Sequence, residues 1–287
     1  MLRKVVALAR LTRPPNGVMM FLGVLAGYYV SSGRAPDASQ AILAFLTAYC
    51  LNGSSMVVND LIDLEVDRVN APERPLPSGA VGVREAVALA VFLGALGLAS
   101  SFLLGPLPFA IALAFYAVAL VYNIRLKPTG LPGNAAVSST VAAPFLFGSA
   151  MAAGMPETGA VTLALLAGIS NLGREVVKGI ADVEGDRFRN LRTVALTRGE
   201  KAAAALGASF VIAAVLLSPL PYLLGVFGWA YLPVVLVADI GFVYSSVSVV
   251  RNPSPRNARR VKNQYLLWML VALLAFLLGS LTSGRPR

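Results

Sequence analysis

The sequence contains no histidine, a single cysteine and few charged residues. Of its 287 residues, 13% are charged and 57% are hydrophobic, whereas soluble domains have about 25% and about 45–50%. The missing histidine excludes histidine-based acid–base catalysis, metal or haem ligation by histidine, and histidine-containing triads. Cys50 lies alone in an apolar stretch, so we expect a buried small residue and no disulfide framework.

The hydrophobic residues form long blocks with almost no charge. A membrane-spanning helix needs roughly 20 apolar residues. Nine blocks approach this length: about 17–32, 40–62, 83–104, 107–124, 133–153, 158–179, 201–218, 223–250 and 263–281. Breaks at Gly105-Pro106 and at 218–221 are interpreted as hairpins, because single helices there would be too long. The sequence predicts an all-α polytopic membrane protein with nine transmembrane helices and one domain, 1–287.

The net charge of +10 is distributed unevenly between the two sides of the predicted bundle. If the N-terminus is inside, the loops on that side carry nearly all Lys and Arg residues, and the other side carries Arg34, Arg285 and Arg287. This asymmetry follows the positive-inside rule. It predicts a plasma-membrane protein with its N-terminus and longer loops in the cytoplasm and its C-terminus outside. It also argues against a nucleic-acid partner, and the start of the chain does not resemble a cleaved signal peptide.

The first acidic segment, NDLIDLEVDR, continues the second predicted span. At 3.6 residues per turn, Asn59, Asp63 and Asp67 lie within about 80° of one another, with Asp60 at about 100°. Carboxylates so close together repel each other, and the cost rises at the end of an apolar helix. Because carboxylate and amide oxygens suit Mg²⁺, the segment predicts a metal site formed by these four residues.

The second acidic segment follows the sixth predicted span. Asp182 and Asp186 are four residues apart, and Arg174 and Lys178 precede them on the same helix face. Mg²⁺ commonly takes one or two protein carboxylates and completes its shell with water and substrate phosphate oxygens. Two acidic clusters with nearby cations therefore indicate a diphosphate site. The alternative, solvated loop ends with surface ion pairs, explains one such cluster better than two on the same side.

Four stretches resemble the UbiA superfamily of intramembrane prenyltransferases. The strongest are NDLIDLEVDRVNAPERPLPSG (59–79) and DVEGD (182–186), which are similar to the two Asp motifs of that family. VYNIRLKPTGLPGN (121–134) and RLTRPPN (10–16) also match, and the span count agrees over the full length. The resemblance implies a helical bundle around a central cavity, capped by inner loops that carry both Asp motifs, with a side opening to lipid.

The resemblance also implies an activity and a set of site residues. The activity is Mg²⁺-dependent transfer of a prenyl chain from an isoprenyl diphosphate to an acceptor. Asp63, Asp67, Asp182 and Asp186 are the expected catalytic residues, and together with Asn59 and Asp60 they are the expected metal ligands. The expected substrate-binding residues are Arg13, Arg74, Tyr122, Lys127, Arg174 and Lys178. Asn123 stands where many members have serine, and no acceptor contact is assigned to that stretch.

The acceptor is predicted from REVVKGIADVEGD, which resembles the archaeal-lipid branch of the family, the digeranylgeranylglyceryl phosphate synthases. These transfer a geranylgeranyl chain to the free hydroxyl of geranylgeranylglyceryl phosphate. Arg174, Lys178, Arg187 and Arg189 would suit such an anionic lipid acceptor, although the last two are equally explained as ordinary cytoplasmic charges. The alternative within the family is a 4-hydroxybenzoate polyprenyltransferase, with an aromatic acceptor.

Three other classes of membrane protein are alternatives. A transporter would use Asp239, since a carboxylate within a predicted span is a functional candidate; a hydrogen bond to a neighbouring helix is the simpler reading. A CDP-alcohol phosphotransferase is disfavoured, because its DGxxAR signature is absent. A structural membrane subunit leaves both acidic clusters unexplained.

Overall fold

The chain folds into helices, and the computed structural model describes residues 2–188 and 191–283. No β-strand occurs among those residues. The α-helices are α1 (Leu2–Leu11), α2 (Pro14–Ser32), α3 (Ala38–Ile62), α4 (Leu64–Asn70), α5 (Val83–Leu103), α6 (Pro106–Val121), α7 (Leu131–Ala153), α8 (Thr158–Ala181), α9 (Val183–Phe188), α10 (Val194–Arg198), α11 (Glu200–Leu217), α12 (Leu220–Leu223), α13 (Tyr231–Arg251) and α14 (Pro255–Leu281). The predicted all-α fold class is confirmed.

The number of membrane-spanning helices differs slightly from the prediction. Eight helices in the described part of the chain are long and apolar enough to cross a membrane, one fewer than the predicted nine. The predicted span that is not among the eight is the first, about 17–32, which corresponds to α2; this helix has 19 residues but begins with the polar stretch Pro14–Pro15–Asn16. A helix exists at each predicted span, and the polar start of α2 keeps it from being one of the eight.

The two proposed hairpins are present. The helices α5 and α6 are separate and meet at Gly105, whose φ of 121° lies in a region that favours glycine. The helices α11 and α13 are separated by the short helix α12. Both long hydrophobic blocks therefore fold as pairs of helices.

The helices α3 and α8 carry the acidic segments at their C-terminal ends. The helix α3 begins with a capping box, in which the backbone N–H of Gln40 donates to the Asp37 carboxylate at 2.9 Å. This hydrogen bond holds the pKa of the Asp37 carboxyl below its ordinary value. The helix α8 is the most enclosed of the eight candidate spans, with 61% of its most apolar stretch buried, against 17% for α6. Side chains near the end of α8 therefore face other helices more than lipid.

The helices α2 and α7 approach each other closely at two glycines. A Cβ atom on Gly148 would lie 2.7 Å from the backbone nitrogen of Tyr28, and one on Gly27 would lie 2.7 Å from the Cα of Phe145. Small residues at helix crossings let backbones pack closely inside a membrane. This contact fixes α2, which lines part of the central cavity, against α7.

We expect Gly148→Ala to destabilise the protein, because the added methyl group collides with the backbone of α2. Overpacking of this kind costs about 1–3 kcal/mol, and the apparent Tm in detergent should fall. Gly168→Ala is the matched control, since a Cβ there would meet Ala142 at an ordinary 3.7 Å. Equal Tm values for the two variants would contradict the close approach.

Candidate active site

A cavity of about 400 Å³ lies inside the bundle. Its apolar wall comes from the middle of the helices and includes Met20, Val24, Leu51, Phe115 and Phe147. Its charged wall comes from helix ends and loops: Arg13, Asp63, Arg74, Lys127, Glu175, Lys178, Asp182 and Asp186. The cavity can thus hold a molecule with an anionic head and a hydrocarbon tail.

The first acidic segment reaches the cavity through Asn59 and Asp63. The sequence analysis treated this segment as one continuous helix, but the helix is broken. The helix α3 ends at Ile62 and α4 begins at Leu64, and Asp63 lies between them at φ −81° and ψ 0°. This break re-aims the later residues. Asp60 and Asp67 are buried but are not part of the cavity wall, so their role as direct metal ligands stays a prediction.

Each aspartate of the first segment is paired with a predicted basic residue. Arg13 donates to Asp60 at 2.6 Å, and Arg74 donates to Asp67 at 2.5 Å. The Lys127 ammonium contacts the Asp63 carboxylate.

Burial and nearby carboxylates have opposite effects on the pKa of the Arg74 guanidinium. Burial lowers its pKa, but the hydrogen bond and negative charge of Asp67, together with the charges of Asp60 and Asp63, outweigh burial, so the pKa lies above its ordinary value. The pairs offset the repulsion between neighbouring carboxylates.

Arg13 is held in an unusual backbone conformation. Its φ is 49°, in the left-handed region, and it immediately precedes Pro14. Non-glycine residues in that region are strained, and such strain clusters at functional sites. The conformation brings the guanidinium to the cavity, where it also contacts the Met56 sulfur at 3.4 Å.

The second acidic segment repeats the arrangement of the first. The helix α8 ends at Ala181, Asp182 follows in a turn, and α9 begins at Val183. Asp182 and Asp186 both line the same cavity as Asp63. The predicted convergence of the two acidic segments is therefore confirmed.

Two cations of the last helix, α14, contact the second segment, and the sequence analysis missed both. Lys262 donates to the Asp182 carboxylate at 3.4 Å, and Arg259 donates to the carbonyl of Ala181 at 3.2 Å. Cations are favourable at a helix C-terminus, where carbonyl groups lack partners. Because these residues lie about 80 positions downstream, no local pattern indicated them.

Glu175 is a further residue of the cavity wall that the sequence analysis missed. It is buried, and it accepts from Arg174 at 2.7 Å and from Lys178 at 3.0 Å. Lys178 lines the cavity as predicted, whereas Arg174 is outside its wall. The three-residue spacing of Glu175 and Lys178 was a visible signal, because it places both on one helix face.

A single turn of π-helix, Tyr122–Leu126, follows α6. Its wider coil is visible at Lys127, whose amide donates to the carbonyl of Tyr122, five residues back. Such turns often occur at functional sites. Here Tyr122, Asn123 and Lys127 all reach the cavity wall.

The other predicted residues lie elsewhere. Arg187 is exposed and is not part of the cavity wall, and Arg189, Arg285 and Arg287 lie outside the described residues. The Asp239 carboxylate accepts from the Ser218 hydroxyl at 2.6 Å, at the end of α11. This hydrogen bond between helices explains the presence of Asp239, the carboxylate that a transporter would use.

The donors in the cavity wall fit Mg²⁺. Asp63, Asp182, Asp186 and Asn59 present carboxylate and amide oxygens, the ligand type Mg²⁺ prefers. No three acidic or sulfur ligands in the described part of the chain are close enough to form a metal site alone. Mg²⁺ commonly takes one or two protein carboxylates and completes its shell with water and substrate phosphate oxygens.

Comparison with known proteins identifies the family. The model of the UbiA prenyltransferase family matches residues 20–277. The chain belongs to this family. Among its UbiA relatives, the digeranylgeranylglyceryl phosphate synthase of Methanopyrus kandleri is 38% identical, over 94% of this chain and 98% of that protein. The predicted family and the prenyltransferase class are confirmed.

Solved UbiA structures share the fold. A structure of a digeranylgeranylglyceryl phosphate synthase superposes with a TM-score of 0.82 and 31% identity, covering 97% of this chain and 99% of that one. A UbiA homolog from Archaeoglobus fulgidus, bound to GPP and Mg²⁺, superposes at 0.65 with 17% identity, covering 94% and 99%. This chain is accordingly a multi-pass membrane prenyltransferase.

Proposed function

We propose that this UbiA-family enzyme transfers a geranylgeranyl chain from its diphosphate to the free hydroxyl of geranylgeranylglyceryl phosphate, a step of archaeal ether-lipid biosynthesis. The observation that carries the proposal is the cavity, whose wall joins both acidic segments and several cations to a long apolar surface. The name of the relative in Methanopyrus kandleri, digeranylgeranylglyceryl phosphate synthase, supports the choice of acceptor.

The donor diphosphate binds at the charged wall. Arg74, Lys127 and Lys178 stabilise its negative charge, and the prenyl chain lies along the apolar wall beside Phe115 and Phe147. These cations neutralise charge that grows on the leaving group as its bond breaks, which lowers the barrier.

Oxygens of Asn59, Asp63, Asp182 and Asp186 would hold Mg²⁺, and the GPP- and Mg²⁺-bound UbiA homolog supports a divalent metal. When bound, the metal supplies Lewis-acid stabilisation of the leaving group.

The reaction then proceeds through an allylic cation. The bond between the first prenyl carbon and the diphosphate oxygen breaks, and its electron pair stays with the oxygen. The acceptor hydroxyl oxygen attacks that carbon to form the ether bond, and its proton passes to the departing diphosphate. The apolar wall excludes water, which would otherwise capture the cation.

The proposal extends to one catalytic domain over 1–287 and to its orientation in the plasma membrane. The concentration of Lys and Arg in the loops around the charged wall supports a cytoplasmic mouth, a cytoplasmic N-terminus and an external C-terminus. The acceptor would then be an anionic lipid that approaches from the bilayer.

A purified assay tests the acceptor. Geranylgeranyl diphosphate and Mg²⁺ are supplied with either geranylgeranylglyceryl phosphate or 4-hydroxybenzoate, and products are identified by mass spectrometry. We expect the diether with the first acceptor and no prenylated ring with the second. The reverse pattern would assign the aromatic alternative, and flux across proteoliposomes without any prenyl transfer would assign a transporter.

A further inference from the structure

A short chain of hydrogen bonds links three polar side chains in the cavity wall. The Asn123 side-chain nitrogen donates to the backbone carbonyl of Ser55 at 3.1 Å and to its hydroxyl at 3.2 Å. The Asn59 side-chain nitrogen donates to the Asn123 side-chain oxygen at 3.2 Å. Asn123 is only 4% exposed and lies in the π-helical turn after α6. These hydrogen bonds therefore connect α3 to the π-helical turn.

The backbone carbonyl of Ser55 fixes the direction of these hydrogen bonds. A backbone carbonyl only accepts hydrogen bonds, so the Asn123 atom beside Ser55 must be the amide nitrogen. The other side-chain atom of Asn123 is then its oxygen, which needs a donor. Asn59 must therefore present its nitrogen to Asn123, and its own oxygen is turned elsewhere.

Asn59 itself lines the cavity one helical turn before Asp63. Its only side-chain hydrogen bond among the described residues is the one to Asn123. We propose that Asn123 is a positioning residue that fixes the Asn59 amide so that its oxygen is presented to the magnesium diphosphate. This inference rests on the proposed function, which gives Asn59 its role as a ligand.

The orientation matters because the two ends of an amide differ in charge. The oxygen attracts a cation, whereas the NH₂ group repels it, so a flipped Asn59 would lose its contact with the metal. Partners that orient a ligand from behind typically change metal affinity by about 10–100-fold. The neutral Asn123 achieves this without adding a charge to the crowded acidic wall.

The test is Asn123→Ala, with Asn123→Leu, of similar size, as a second variant in case the first does not accumulate. We expect the Mg²⁺ concentration for half-maximal turnover to rise about 10-fold or more. The rise in Tm produced by Mg²⁺ with inorganic diphosphate should need correspondingly more metal, which gives a readout independent of turnover. An unchanged Mg²⁺ requirement in both measurements would overturn the inference.

Asn171→Ala is the matched control. Asn171 is also buried and donates to the Ser138 hydroxyl at 3.2 Å between α8 and α7, but it is not part of the cavity wall. Its loss should lower Tm without changing the Mg²⁺ requirement. An equal Mg²⁺ shift in this variant would reduce the role of Asn123 to general packing.

The Asn59→Asp background separates positioning from every other effect. A carboxylate offers an oxygen whichever way it turns, so removing Asn123 from that background should no longer change the Mg²⁺ requirement. The same shift in both backgrounds would overturn the inference. The proposed function fails separately: full Mg²⁺-dependent activity in Asp63→Ala would reject it, whereas loss there with no effect at Asn123 would reject only the positioning role.

Discussion

Asp63→Ala and Asp182→Ala should each abolish Mg²⁺-dependent prenyl transfer. Both carboxylates stand at the breaks that end α3 and α8, and both line the charged wall of the cavity. Removing one preorganised electrostatic group from an active site typically costs about 10²–10³-fold in rate. Loss of a shared metal ligand should reach at least the upper end of that range. The measurement is the rate of geranylgeranyl transfer by purified protein at saturating Mg²⁺.

Glu65→Ala is the control for both variants. Glu65 belongs to the same acidic segment, but its side chain is 78% exposed and paired with Arg68 at 2.9 Å. Exposed ion pairs contribute little, so this variant should keep wild-type activity. If Asp63→Ala and Asp182→Ala retained full activity in correctly inserted protein, the assignment of the metal site would be wrong.

Lys127→Ala should have the second largest effect. Its ammonium contacts the Asp63 carboxylate and is only 18% exposed, at the end of the π-helical turn. The variant removes a cation from the diphosphate site and leaves a largely buried carboxylate without that partner, a costly change. We expect kcat/KM for the diphosphate donor to fall about 100-fold, measured by varying geranylgeranyl diphosphate at fixed acceptor.

Arg125→Ala provides the comparison for this variant. Arg125 lies in the same π-helical turn and carries the same charge, but it is exposed and outside the cavity wall. Its removal should leave kcat/KM for the donor within about twofold of wild type, since exposed charges contribute little. Equal losses in the two variants would mean that the turn needs positive charge in general and not the Lys127 ammonium.

The sequence predicted the meeting of the acidic segments because their positions obey a simple rule. Both segments end apolar helices, and an even number of spans separates them, so they emerge on the same side of a membrane. Their spacing on helix faces then indicated six residues: Asn59, Asp60, Asp63, Asp67, Asp182 and Asp186. Of these, Asp60 and Asp67 are not part of the cavity wall, and the other four are.

The pairing partners could not be predicted in the same way. Lys262 reaches Asp182 because α14 packs beside α8, where Ala258, Val261 and Ile180 belong to one buried hydrophobic cluster. The break at Asp63 was not predicted either, since an unbroken helix satisfies the local sequence equally well. Glu175 was passed over although it lies next to Arg174 and three residues before Lys178, the two cations with which it pairs.

The ion pairs of the charged wall have a consequence for how the enzyme is made. Asp60, Asp63, Asp67 and Asp182 each carry a basic partner supplied by the chain itself. The polypeptide can therefore complete its insertion and packing with these carboxylates already neutralised. We therefore expect the protein to insert and fold without Mg²⁺ and to need the metal only for prenyl transfer.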